Sequence, residues 1–223
     1  MNDESTQNPF SLIADFDGDI QNLFNIETGG SLPILPLRNM VLFPGIVIPV
    51  AIERQFSLDV IRMAKENDAF IGVVCQNNPA TDRPTEKDLY KTGTIAKVMR
   101  ILELPDKRTT VLLQGFCRFK LGKILQTEPF YTAQTRQLKE VCPNAENSEF
   151  SALVDACRDL TFRLFKLNDT MRDESCFAIK NISNKIFLVN FICTNLPIPI
   201  SEKMELLQVG NVKDRAYKLL SIL

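Results

Sequence analysis

Six cysteines, at positions 75, 117, 142, 157, 176 and 193, are the candidate nucleophiles and soft metal ligands of this chain. No two lie closer than fifteen positions, so no CxxC pair is available for zinc binding or thiol–disulfide exchange. Several fall on apolar strand or helix positions, which predicts buried, reduced thiols rather than a disulfide framework. There is no histidine. A Ser-His-Asp triad, a Cys-His dyad and any His-based metal site are therefore excluded within the chain. The nine glycines never take the spacing of a phosphate-binding loop, and Gly122-Lys123 runs into Ile124 where a Ser or Thr is needed. No G-x-S-x-G elbow occurs. The carboxylates are spread along helix faces and loops, the pattern of a solvated surface rather than of a paired general acid and base. The chain is expected to catalyse nothing by itself and to hold no cofactor or metal.

Apolar surface held on rigid elements and rimmed by polar groups is the pattern of a non-covalent binding site. Two places are candidates for it. One is the turn carrying Leu42, Phe43, Pro44 and Ile46, where Pro44-Gly45 forces a tight reversal that would lift Phe43 to the domain edge. The other is the loop from Asn77 to Tyr90, with Pro79, Pro84, Leu89 and Tyr90. Phe43 has a competing role as a core ring. Its replacement by Ser separates the two, since only a core ring lowers the melting temperature.

The elements that position these residues read from periodicity. Between Leu32 and Ile52 four prolines demand extended chain and a turn at 43–45, and Ile46, Ile48, Val50 and Ile52 share one face of a strand. Gln55 to Asn67 reads as a helix with Phe56, Val60, Ile61 and Ala64 inward. Ala69 to Gln76 is a buried strand. After the 77–90 loop come two long strands about a turn at Pro105-Asp106-Lys107. The second of these places Val111, Leu113, Cys117, Phe119 and Leu121 on one face, with Gln114, Arg118 and Lys120 on the other. Phe130 to Lys139 adds a further strand. Periodicity breaks over 140–148 and then turns helical. From Phe150 a stripe runs through positions 153, 154, 157, 160, 164 and 167. A helix over 171–182 follows, then one capped by Ser183 that is apolar almost all round, one from Ser201, and a last one opened by Asn211. The expected fold class is α+β: an acidic extension (1–31), a mostly antiparallel, bent, barrel-like sheet with one short helix (32–139), a linker (140–148) and a helical bundle (149–223).

Composition narrows the partners. Lys plus Arg total 26 against 27 for Asp plus Glu, a net charge of -1, so broad attraction to nucleic acid or anionic lipid is not expected. No apolar run approaches the roughly twenty residues that span a bilayer. Residues 1–31 carry six acids and no Lys or Arg, unlike a secretory or organelle signal. They are either a tail or a short segment that docks on a partner.

Several strings resemble one family. LPILPLR followed by LFPGIVIPV, at 32–38 and 42–50, is similar to the opening of the N-terminal, substrate-binding domain of the ATP-dependent Lon proteases. The run Tyr90-Lys91-Thr92-Gly93-Thr94-Ile95-Ala96 and the run Val111 to Arg118 resemble later strands of that domain. Asn39, where an acidic residue is common, and Gly45 are mild departures. The resemblance runs from 32 to 223. It implies a PUA-like α+β fold in which Gly93 and Gly115 serve the backbone. It also implies a substrate-recognition and assembly role in a soluble, cytoplasmic, homo-oligomeric serine protease, a hexamer in the family, that degrades misfolded, damaged and selected regulatory proteins, whose unfolded segments with their exposed apolar side chains would meet the turn at 42–46 and the loop at 77–90. ATP, Mg, the ATPase (AAA+) module and the Ser-Lys dyad would then lie beyond residue 223, and the last helix would run on towards them. Two further readings stand beside it. One is a free-standing Lon-domain adaptor without a protease; the other is an RNA-binding module of PUA type, which the lack of a basic stripe disfavours.

Overall fold

The computed structural model describes residues 23–103, 109–144, 146–167 and 173–223. The acidic segment up to residue 22 and the turn expected at 105–107 lie outside the described residues. The strands are β1 (Ser31–Leu37), β2 (Val47–Ile52), β3 (Ile71–Cys75), β4 (Thr92–Glu103), β5 (Thr109–Gln126) and β6 (Thr132–Gln137), with helix α1 (Gln55–Glu66) between β2 and β3. Helices α2 (Ser148–Lys166), α3 (Asp173–Asn181), α4 (Lys185–Asn195), α5 (Ile200–Gln208) and α6 (Val212–Ile222) follow.

The six strands lie in the order β2-β5-β4-β3-β1-β6, and β5 also pairs with β6, which closes the sheet into a barrel. Closure depends on the length of β5. Its 18 residues reach far enough for one edge to serve two neighbours in turn: β2 over Thr109 to Gln114, then β6 over Phe119 to Gln126. β1 and β3 pair in parallel; the other pairings are antiparallel. The alternation read in β2 is present, with Ile48, Val50 and Ile52 buried and Pro49 and Ala51 exposed. Gly115 is where two backbones meet. Its N–H donates to Ile46 O and its carbonyl accepts from Gly45 N, both at 2.9 Å, and a Cβ on it would stand 2.5 Å from Phe43 O. Gly45 itself has φ 81°, the left-handed region that its turn needs.

Two apolar clusters result. Leu32, Ile34, Val74, Ile95, Cys117, Phe119, Leu121 and Ala133 fill the barrel. The larger cluster lies between the barrel wall and the helices, where Val41, Leu42, Phe43 and Ile46 join Phe150, Val154, Phe191, Ile192 and Leu219. α4 is buried from Ile186 through Cys193, as its all-round apolarity requires. Its cap is Asn184, not Ser183: the Asn184 side chain accepts from Phe187 N at 3.0 Å, the geometry of an N-cap serving N3.

One further local expectation needs correction. The α2 stripe drifts: Cys157, Thr161 and Phe165 continue the buried seam, while Leu160, Leu164 and Leu167 are 37%, 38% and 85% exposed. The anticipated set repeats every 3.5 residues, and a straight helix turns every 3.6, so the later members rotate out of contact. Thr161 is tolerated inside because its hydroxyl donates to Cys157 O at 2.7 Å. Arg118 lies on the face opposite Cys117 and Phe119, as the alternation requires; it points towards the helices and is only 2% exposed. At the start of the stretch read as a linker, the Glu140 side chain is fully buried between Arg118 and Arg215.

That charge cluster ties the two parts together. Arg118 Nε donates to Glu140 Oε1, and its Nη2 donates to Lys139 O. Arg215 Nη2 reaches both Glu140 oxygens, at 3.2 and 3.0 Å, and its Nη1 donates to Asn190 Oδ1 at 2.7 Å. Asn190 Nδ2 in turn donates to Pro44 O at 2.9 Å. A continuous polar chain therefore runs from α6 through α4 to the 43–45 turn of the barrel.

Candidate functional site

The turn at 42–46 is not a surface. Leu42 is 2%, Phe43 0% and Ile46 1% exposed, and Pro44 is buried. The reversal at Pro44-Gly45 points Phe43 into the space between barrel and helices rather than out of the domain. Of the loop candidates, Leu89 is buried in the barrel cluster and Tyr90 is half-buried against both clusters, while Pro79 is exposed at the loop's tip. Pro84 alone of the eight lines a groove.

That groove, of about 790 Å3, lies where three separate segments meet: the start of α1, the loop at 82–86, and the end of β5 with the turn into β6. Its apolar side is made by Phe56, Pro84, Ile124, Pro129 and Tyr131. Phe56 and Tyr131 pack edge to face with centroids 5.1 Å apart, and the Arg54 guanidinium lies 4.8 Å from the Phe56 ring centre. Around them stand Asp59, Asp82, Arg83, Glu86 and Glu128. Arg83 and Glu128 pair at 3.0 Å, both largely exposed, so this link is weak and exchangeable.

The loop wall is held by side chains rather than by regular structure. Asn77 Nδ2 donates to Lys87 O at 2.7 Å, and Gln76 Nε2 donates to Thr81 O at 2.9 Å. Thr85 N and Oγ1 both donate to the Asp88 carboxylate, a capping box that starts the 3-10 turn at Glu86–Asp88 and holds that carboxyl below its usual range. Arg38 Nη2 pairs with Asp82 Oδ1 at 2.5 Å. Arg54 then joins the wall to the barrel, donating to Gln76 Oε1 at 2.7 Å and to Pro36 O at 2.5 Å. A fixed apolar floor with polar groups at its edge can take an apolar side chain while hydrogen-bonding the main chain on either side.

Four of the six cysteines are buried. Burial pushes the Cys75 and Cys157 thiols up to about 11 and those of Cys117 and Cys193 to about 12, with the Glu140 charge adding to the shift at Cys117. Such thiols stay protonated at neutral pH and are poor nucleophiles. Among the described residues no group of three or more Cys, Asp or Glu side chains is placed to hold a metal, and no helix is long and apolar enough to cross a membrane. The sequence reading missed the groove because Phe56 was assigned wholly to the buried face of α1. Its exposure to the groove depends on Tyr131, 75 positions away.

Comparison with known proteins supplies the family. Residues 31–223 match the family described as the ATP-dependent protease La (LON) substrate-binding domain. The Lon protease of Parabacteroides distasonis is 43% identical over 197 residues, covering 88% of this chain and 24% of that protein. The Lon protease of Flavobacterium johnsoniae is 40% identical over 202 residues, covering 91% and 25% respectively. This chain thus spans about a quarter of the length of these curated relatives. In fold it is similar to a Lon N-terminal domain protein from Xanthomonas campestris, with a TM-score of 0.61 at 18% identity over 86% of this chain and 97% of that one. The N-terminal domain of Mycobacterium avium complex Lon protease gives the same TM-score and covers 96% of that chain. The α+β reading, barrel followed by helices, agrees with both neighbours. By the matched stretch and by these identities, the chain belongs to the LON substrate-binding domain family.

Proposed function

We propose that this chain recognises unfolded or damaged polypeptide segments for an ATP-dependent protease, and that the groove between α1, the 82–86 loop and the β5–β6 turn receives them. The observation that carries this reading is the groove's composition: a packed Phe56–Tyr131 pair with Pro84, Ile124 and Pro129, edged by charged groups, on a chain of the substrate-binding family. The proteolysis itself belongs to other parts of the assembly. There a serine nucleophile with a lysine base would cleave, and an AAA+ module using ATP and Mg would unfold and translocate the client. The working form is a cytoplasmic homo-oligomer whose several grooves act together. A single groove is weak, with Kd on the order of 10 µM to 1 mM, and repeated copies raise the effective affinity through avidity.

Adjacent residues of β5 provide the test. Ile124 lines the groove, whereas Leu125 is 52% exposed and does not line it. A labelled, permanently unfolded protein is titrated against the whole chain by fluorescence anisotropy. Ile124→Ser weakens binding several-fold, and Leu125→Ser leaves it unchanged. Equal effects of the two substitutions, or none from Ile124→Ser, would remove the groove from the mechanism.

A further inference from the structure

Beside the groove lies a second cavity, of about 240 Å3, and Arg54 stands in the walls of both. Most of its lining is aliphatic, but Arg38, Glu53, Arg54 and Ser57 also line it. Among the described residues, Arg38 Nε and Ser57 Oγ are the buried side-chain polar atoms without a hydrogen-bond partner, and both belong to this wall. Ser57 is only 3% exposed. An arginine Nε–H can donate and never accept, so what it lacks is an acceptor oxygen. The two guanidinium groups are anchored at their far ends: Arg38 by Thr81 O and the Asp82 carboxylate, Arg54 by Gln76, Asp82 O and Pro36 O.

The backbone adds to the same polarity. Ser57 sits in the first turn of α1, a 12-residue helix with no acidic residue in that turn and no side-chain cap at its N-terminus. The positive end of the helix therefore faces this region without compensation from its own sequence. Burial and the neighbouring Arg38 both lower the Arg54 pKa, while Asp82 and Glu53 act against that shift. The Glu53 carboxylate in the wall also limits how much negative charge a ligand can bring, which favours a monoanion over a dianion.

We infer that this cavity takes the terminal carboxylate of a polypeptide whose preceding residues lie in the groove. The inference rests on the groove reading above and adds to it a preference for free C-termini. One carboxylate oxygen accepts from Arg38 Nε and the other from Ser57 Oγ. The last side chain lies against Leu35, Val50 and Ile52, and Arg54 marks the passage from groove to cavity.

The test uses two decapeptides of identical sequence ending in leucine, one with a free carboxylate and one amidated, with inorganic phosphate as a third titrant on the whole chain. The free acid binds about tenfold or more tightly than the amide, the effect of a charge-assisted pair of hydrogen bonds. Ser57→Ala and Arg38→Met each bring the two peptides to within about threefold, and Ser57→Ala does so with amide affinity unchanged. Since Ser57→Ala removes a hydroxyl that has no partner in the free chain, its melting temperature does not fall, which separates lost recognition from lost folding. Equal binding of acid and amide overturns the terminal-carboxylate assignment and leaves the groove standing. Failure of both peptides to bind overturns the two readings together. Phosphate binding more tightly than the free acid shows a small-anion site and overturns the choice of ligand.

Discussion

Replacing Glu140 by Gln tests how the barrel and the helices are joined. The Glu140 side chain has no exposure, and its two guanidinium partners are 2% and 0% exposed as residues. Neutralising the carboxylate leaves two buried cations without a counter-ion and turns an amide N–H2 towards N–H donors. Removing one partner of a buried ion pair costs about 3–5 kcal/mol. The value for Gln falls near the lower end, because Lys139 O, Leu207 O, Gln208 O, Val209 O and Asn190 Oδ1 continue to accept from the two arginines. At about 2–4 °C per kcal/mol for a chain of this size, the melting temperature drops by roughly 6–12 °C. Calorimetry and urea unfolding read this directly. One transition is expected, since barrel and helical residues share a single apolar cluster. A loss below about 1 kcal/mol would refute the reasoning on the charge cluster, and separate melting of the two parts would refute the reasoning on the shared core.

Phe43→Ala, at a ring with no exposure in the same cluster, destabilises by about 3–5 kcal/mol; a melting temperature within a degree or two of the parent would return Phe43 to the surface. Glu149 accepts from Lys213 Nζ at 2.6 Å and from the Tyr217 hydroxyl, hydrogen bonds that hold its carboxyl below the usual range. A depressed carboxyl contributes stability that is complete above its unfolded pKa and is lost as pH falls through the lower folded value. Glu149→Gln therefore removes this contribution near pH 7, leaves the stability at the acid end nearly unchanged and so flattens the acid side of the stability–pH curve. An unchanged acid slope would show that the contact carries no linkage.

Much of the local structure was legible in the chain. Alternation at Ile48, Val50 and Ile52 located β2, the apolar residues on nearly every side of the stretch from Ile186 to Cys193 made α4 central, and Asn211 marked the start of α6, where its side chain accepts from Lys213 N. The missing histidine, the cysteine spacings and the glycine spacings excluded whole classes of chemistry, because those tests need only residue type and separation. Such signals are local: periods of 2 and 3.6 say which face of an element is apolar, not what meets it. Closure of the barrel depended on β5 serving β2 and β6 on one edge. The burial of Arg118 and Glu140 depended on Arg215, which lies 75 positions beyond Glu140. Phe43 went inward because the helical layer covers that side of the barrel, and the groove exists only where Phe56, Pro84 and Tyr131 converge from three distant segments. A charged residue in a strand and an aromatic residue at a turn read as surface when the partner that buries them is remote in sequence, and only the tertiary packing supplies that partner.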